Sequence, residues 1–216
     1  MHLRVSDFLE EKLNISSVKN VSVYNFLVKP FEFFKALNKE PKFFIPLLLM
    51  IVINFVFSIF VSYISYGNGS LNSNMNNQFI QDNKILLISI TTGVSVIGQL
   101  ITTIGMCVFL YFVFSLFFNN IKFRNIFSLM LYAKIPEFIY TITLTIFLAI
   151  TKDISSLNNI DPTMLDSISK IFNPFNVWHL ILFGISIHTL TNMSKKKSFF
   201  IVSLFPILNL ILEQLI

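Results

Sequence analysis

The chain has 216 residues and a mass of 24.9 kDa, with 54% hydrophobic and only 12% charged residues, against about 25% charged in soluble domains. So few charges cannot clothe a fold of this size for water, which excludes an ordinary soluble domain and predicts a multi-pass membrane protein. The formal charge of +5 sits on basic residues beside apolar runs, and there is no arginine-rich helix or zinc-finger spacing, so no nucleic-acid partner is expected.

A bilayer core about 30 Å thick needs roughly 20 apolar residues per helix. The first such run begins near Phe43, far behind the N-terminus, so no cleavable signal peptide is expected. Residues 1–42 are therefore read as a cytoplasmic segment, and 43–216 as the membrane domain. Within the segment, KPFEFFKALNKEP opens on Pro30 at a first helical position, and Phe31, Phe34 and Leu37 recur at helical spacing between Glu32, Lys35 and Lys39. That pattern predicts an amphipathic helix with its apolar face in the headgroups. A connector packed on the bundle is the alternative.

Five spans follow in order: Phe43–Tyr66, Ile85–Phe118, Ile126–Ile150, Asn176–Met193 and Phe199–Ile216. The second would rise about 51 Å at 1.5 Å per residue, too long for one upright span and too short for two with a turn. It is read as one tilted helix. Pro136 interrupts the third span, and Pro206 with Asn209 marks the fifth as irregular. Between the third and fourth, Asp161-Pro162 looks like a helix start, and Met164, Leu165, Ile168, Ile171 and Phe172 repeat at amphipathic spacing. The predicted class is all-α, a five-helix transmembrane bundle with an N-terminal interfacial helix.

Basic residues orient such a bundle. Twelve fall on one side of a five-span arrangement: seven before the first span, then Lys122, Arg124 and the basic turn Lys195, Lys196 and Lys197. The other side holds only Lys84, Lys152 and Lys170. The expected N-terminus is cytoplasmic. Abundant Lys, Asn, Ile and Phe reflect AT-rich codons, the expectation for a low-GC bacterium and hence for its cell membrane.

Three groups of residues invite chemistry. Lys134 and Glu137 lie three apart in the third span, with Pro136 between them, so a helix brings opposite charges within reach beside a kink. Ionisable groups at membrane depth are candidates for moving an ion or substrate. The favoured reading is structural, a pair inside the bundle with Lys134 reaching towards the headgroups. In the second span Ser95, Gly98, Thr102 and Gly105 fall within about 80° of a helical wheel, a stripe that lets backbones approach closely. Packing within the chain is favoured there over a dimer face, and homo-oligomerisation stays open. Asn54 and Gln99 are candidates for hydrogen bonds across helices.

His179 and His188, nine residues apart on one helix, point in opposite directions and cannot share a metal ion. His179 beside Trp178 is expected in an interfacial aromatic belt. The lone Cys107 forbids an intrachain disulfide and leaves too few thiols for a cysteine zinc site. No G-x-S-x-G elbow, HExxH or P-loop occurs. No catalytic residue, cofactor or metal is expected.

Three stretches carry a family resemblance: LVKPFEFFKALNKEPKFFIPLLL, FRNIFSLMLYAKIPEFIY and VWHLILFGISIHTLTNMSKKKSFFIV. The first resembles the opening of the Yip (Ypt/Rab-interacting protein) domain family, a proline with phenylalanines and a second proline before the first span. The second is similar to its Tyr-Ala/Ser-x-x-Pro block, matched here by Tyr132, Ala133 and Pro136. The third resembles its tryptophan-led fourth span and basic turn. The resemblance implies five helices with a cytoplasmic N-terminus and a non-enzymatic accessory or scaffold role. Eukaryotic members bind prenylated Rab GTPases, whereas some bacterial relatives accompany ABC-type exporters, so the partners implied here are the lipid bilayer and a membrane-protein complex of that kind. A small transporter or channel subunit using Lys134 and Glu137 is the competing function.

Overall fold

The computed structural model describes residues 23–67, 82–118, 121–151 and 173–215, and among them the chain forms eight α-helices and no strand. They are α1 (Val23–Val28), α2 (Pro30–Lys39), α3 (Phe44–Gly67), α4 (Lys84–Phe117), α5 (Phe123–Ala133), α6 (Ile135–Thr151), α7 (Pro174–Thr191) and α8 (Lys195–Leu215). Three stretches are long and apolar enough to cross a membrane: Phe44–Tyr66, Lys84–Phe117 and Phe123–Thr151, the last covering α5 and α6 together. The helices α7 and α8 fall where the fourth and fifth runs are expected. The 18 residues of α7 rise about 27 Å, just under one hydrocarbon thickness, and α8 opens on three lysines.

Local chemistry sets the boundaries. Pro30 stands at the first position of α2, where its missing N–H costs nothing, and Pro41 stops the helix after Glu40, whose N–H still bonds the Ala36 carbonyl. Asn173 caps α7 by accepting from the Phe175 N–H at 3.0 Å, with Pro174 next. At the other end Asn192 adopts the left-handed conformation (φ 55°), which asparagine tolerates better than most residues, and turns the chain into α8. The second apolar run is one unbroken helix of 34 residues.

The helices α3 and α4 run antiparallel in a register fixed by two contacts. The Ser62 and Thr91 hydroxyls are 3.0 Å apart, and Thr103 Oγ1 donates to Met50 Sδ at 3.7 Å. This register carries α4 past the start of α3 by about two turns. The overhang enters the main core, where Cys107, Leu110 and Phe114 of α4 meet Phe26, Phe33, Phe34 and Leu37 of α1 and α2, Ile126, Leu129 and Met130 of α5, and Leu182, Phe183, Ile185 and Ile187 of α7. Among the described residues, the opposite halves of α3 and α6 share the buried pair Ile64 and Leu148, with Phe57, Phe60, Val61 and Leu144 packed against it. Among the same residues the larger core lies at the end with the overhang.

Several sequence expectations change here. The apolar face of α2 does not lie in headgroups: Phe34 and Leu37 are fully buried, and polar side chains fix the helix to the bundle. Asn38 Nδ2 donates to the Thr189 carbonyl at 3.1 Å, and Asn125 Nδ2 donates to Asn38 O and Oδ1, each at 2.8 Å. Ser128 donates to the Lys42 carbonyl at 2.9 Å. Dense packing around two phenyl rings and a leucine, with paired polar edges, outcompetes a face left in contact with headgroups.

The small-residue stripe is also displaced from its expected role. Ser95, Gly98, Thr102 and Gly105 are all exposed, and among the described residues nothing lies within 4 Å of a Cβ built on Gly98 or Gly105. The glycine that lets helices approach is instead Gly184 of α7, where a Cβ would stand 2.7 Å from the Phe199 ring of α8. Asn54 bonds within its own helix, Nδ2 donating to Met50 O at 2.8 Å, rather than across helices. The amphipathic segment around 164–172 lies outside the described residues.

Burial of α2 gives a direct expectation. Phe34→Ala, emptying a fully buried site, lowers stability by about 3–5 kcal/mol, whereas Phe44→Ala, at a position 71% exposed, changes it little. Thermal unfolding in detergent measures both. Equal midpoints for Phe34→Ala and the unaltered protein would return α2 to the headgroups.

Candidate functional site

The break in the third apolar run builds the site. Pro136 has no N–H, so the Tyr132 carbonyl loses the donor that a continuous helix would give it. The chain responds by closing α5 at Ala133, turning through Lys134 (φ −78°, ψ −3°) and restarting as α6 at Ile135. The Lys134 N–H still reaches Met130 O at 3.1 Å, and Phe138 N–H reaches Lys134 O at 3.2 Å. The Ala133 carbonyl, at the end of α5, receives its hydrogen bond from another helix: His179 Nδ1 of α7 lies 2.9 Å away.

Charged side chains gather around this turn. Lys134 Nζ is 3.8 Å from Glu137 Oε2, and His179 Nε2 is 3.5 Å from Glu137 Oε1, so the carboxylate stands between two nitrogen bases. Lys134 Nζ also donates to Thr103 Oγ1 of α4 at 3.5 Å, and that hydroxyl donates onward to Met50 of α3. The Phe183 ring stacks on His179 with centroids 6.0 Å apart and planes inclined 18°. Side-chain exposure is 14% for Lys134, 11% for His179 and 38% for Glu137, so the carboxylate is the accessible member. Met50 lies six residues along α3 from Phe44, about 9 Å of helical rise inside the start of that span.

Lys134, Pro136 and Glu137 thus meet, as their spacing suggests, but the arrangement includes three side chains that the spacing does not reveal. His179 is buried against the turn instead of standing in an aromatic belt, and Trp178 beside it packs 6.4 Å from the Phe26 ring. Thr103 and Met50 arrive from two other helices. The available signal was that ionisable side chains recur in two different apolar runs, Lys134 and Glu137 in the third and His179 and His188 in the fourth. His188 has a separate role: its Nδ1 bonds the Met193 carbonyl and closes the turn into α8, and its ring lies 5.8 Å from Phe31.

A cluster of this composition can hold opposite charges together in an apolar setting and can hold a proton. It has no nucleophile aligned with a base. Among the described residues no group of three or more His, Cys, Asp and Glu side chains is placed to hold a metal ion.

The basic residues form a second feature. Lys195, Lys196 and Lys197 are exposed at the end that carries the main core, together with Lys29, Lys35, Lys39, Lys42, Lys122 and Arg124. Lys195 Nζ stands 4.3 Å from the Phe31 ring centre, and Arg124 lies over Phe43 at 5.7 Å.

Comparison with known families gives one match: the Yip1 domain model aligns with residues 24–212, most of the chain. No curated protein and no solved structure matches.

The junction predicts coupled energetics. Lys134→Ala and Glu137→Ala each destabilise the protein, because each leaves a charge without its partner. The double substitution costs less than the sum, with a coupling of about 0.5–3 kcal/mol in a double-mutant cycle in detergent. Additive losses would mean that the two side chains do not interact.

Proposed function

The chain belongs to the Yip1 domain family, and from that premise we propose that it is a non-enzymatic accessory or scaffold protein of the membrane, assisting or regulating a transport complex such as an ABC-type exporter. The family is generally one of non-enzymatic membrane proteins, and the apolar helices of this chain suit a bilayer. The observation that carries the partner reading is the outer face of α4. Its stripe Ser95, Gly98, Thr102 and Gly105 is exposed beside Val94, Ile97, Ile101 and Val108, with open space above the glycines. Small residues in a lipid-facing helix admit the close approach of another transmembrane helix, which apolar side chains alone do not favour over lipid. A partner's helix is the occupant assigned to it.

In this reading α7 and α8 complete five spans, and the exposed basic end faces the cytoplasm of a bacterial cell. The antiparallel course of α7 beside α5, with Phe175 packed 5.8 Å from Tyr140 and Thr189 bonded to Asn38, supports a return towards the basic end. Single cysteines test the orientation in a Cys107→Ser background. Lys84→Cys reacts with a membrane-impermeant reagent added outside intact cells, whereas Lys196→Cys does not. External labelling at residue 196 would reverse the topology.

A second reading rests on the partial exposure of Glu137. As a small transporter or channel subunit, the protein would pass an ion or solute along the Lys134–Glu137 turn. One comparison separates the two. For the accessory role, exporter components encoded beside this gene co-purify in mild detergent, and Gly98→Leu with Gly105→Leu abolishes their recovery without unfolding the chain, since a Cβ at either position has no described atom within 4 Å. If instead the protein purifies alone and supports a flux in liposomes that Glu137→Ala removes, the transporter reading replaces the accessory one.

A further inference from the structure

We infer that His179 and Glu137 form a binding site for a single proton, and that this proton ties α7 to the start of α6. The argument begins with the Ala133 carbonyl, which can only accept a hydrogen bond. A contact of 2.9 Å to His179 Nδ1 therefore requires the hydrogen on Nδ1. In a neutral ring that leaves a bare lone pair on Nε2, and Nε2 faces Glu137 Oε1 at 3.5 Å. Lone pair against carboxylate is repulsive. One proton on Nε2 converts the same contact into an imidazolium–carboxylate pair. The Lys134 ammonium already faces the other carboxylate oxygen at 3.8 Å, so a proton on the ring places the carboxylate between two cations.

From α4 the junction receives Thr103 and Cys107, both buried, and Thr103 is occupied by Lys134 and Met50. From α5 it receives Tyr132, whose ring packs against Phe33 at 5.2 Å. Glu32, Lys35 and Lys39 of α2 and Lys195–Lys197 of α8 are exposed, and His188 on α7 itself bonds Met193. With the proton the junction carries Lys⁺, Glu⁻ and His⁺; without it, the contact between α7 and α6 turns from attraction to repulsion while the bond to Ala133 remains. This site stands whether or not an exporter partner is found, since it concerns contacts within one chain.

The test uses the full chain in phosphatidylcholine vesicles and solid-state NMR of the histidine ring nitrogens from about pH 5 to about pH 9. Trp178 is the chain's one tryptophan, so carbonyl-labelled tryptophan combined with labelled histidine selects His179. Nδ1 is expected to carry hydrogen at every pH, and Nε2 to carry it at the acid end and lose it at the alkaline end. In Glu137→Gln the carboxylate that faces Nε2 is gone, so the fraction of rings carrying hydrogen on Nε2 falls. A neutral His179 with hydrogen on Nε2 and none on Nδ1 would overturn the proposal from the unaltered protein alone. So would a titration left unchanged by Glu137→Gln.

Discussion

Hydrocarbon offers no hydrogen-bond donors, so each backbone group freed inside a membrane-embedded helix has to be satisfied by the protein itself. Pro136 breaks the third apolar run at a point where four helices meet, and the repair organises the molecule. His179 supplies the donor that the Ala133 carbonyl takes from outside its own helix, which fixes the rotation of α7. That rotation buries Leu182, Phe183 and Ile185–Ile187 and places Thr189 where Asn38 can bond it. Through that bond and those of Asn125, α2 is seated. The charges at the break are drawn into the same repair: Lys134 and Glu137 each find a counterpart on a neighbouring turn or helix.

The apolar runs were legible because hydropathy over 20 residues responds to a single requirement, the thickness of the bilayer core. The unbroken α4 and the interruption at Pro136 were legible for equally direct reasons: one follows from length, the other from a missing donor. Less could be read about what each face meets. An amphipathic pattern such as Phe31, Phe34 and Leu37 is the same whether its apolar side is turned to headgroups or to a protein core. Only long-range partners such as Asn125 and Thr189 decide between them. The glycines of α4 and Gly184 illustrate the same limit, since a small side chain permits close approach without stating from which direction. His179 was obscured by its neighbour Trp178, which suggested an interfacial belt. Its acidic partner lies 42 positions away in sequence, and periodicity within one helix carries no information across that separation.

Charge and aromatic packing reinforce each other at the cored end. Lysines and Arg124 stand exposed there, yet two of the cations lie over rings, Lys195 over Phe31 and Arg124 over Phe43. Such contacts hold the basic side chains close to the surface formed by α2 and the start of α3, with each worth about 0.5–1 kcal/mol when exposed. The feature that orients a membrane protein is here built into its tertiary packing.

The uneven distribution of that packing has a mechanical consequence. At one end the overhang of α4 is clamped by α1, α2, α5 and α7; at the other, among the described residues, the distal halves of α3 and α6 share the smaller cluster around Ile64 and Leu148. Bilayers differ in thickness, and a helix longer than the local hydrocarbon adapts by tilting, at a cost of fractions of a kcal/mol per Å of mismatch. A uniformly cored bundle would have to tilt as one body. In this protein the described part of the distal end holds the smaller buried cluster, so a change of inclination disturbs fewer of the described core side chains there than beside the proline break.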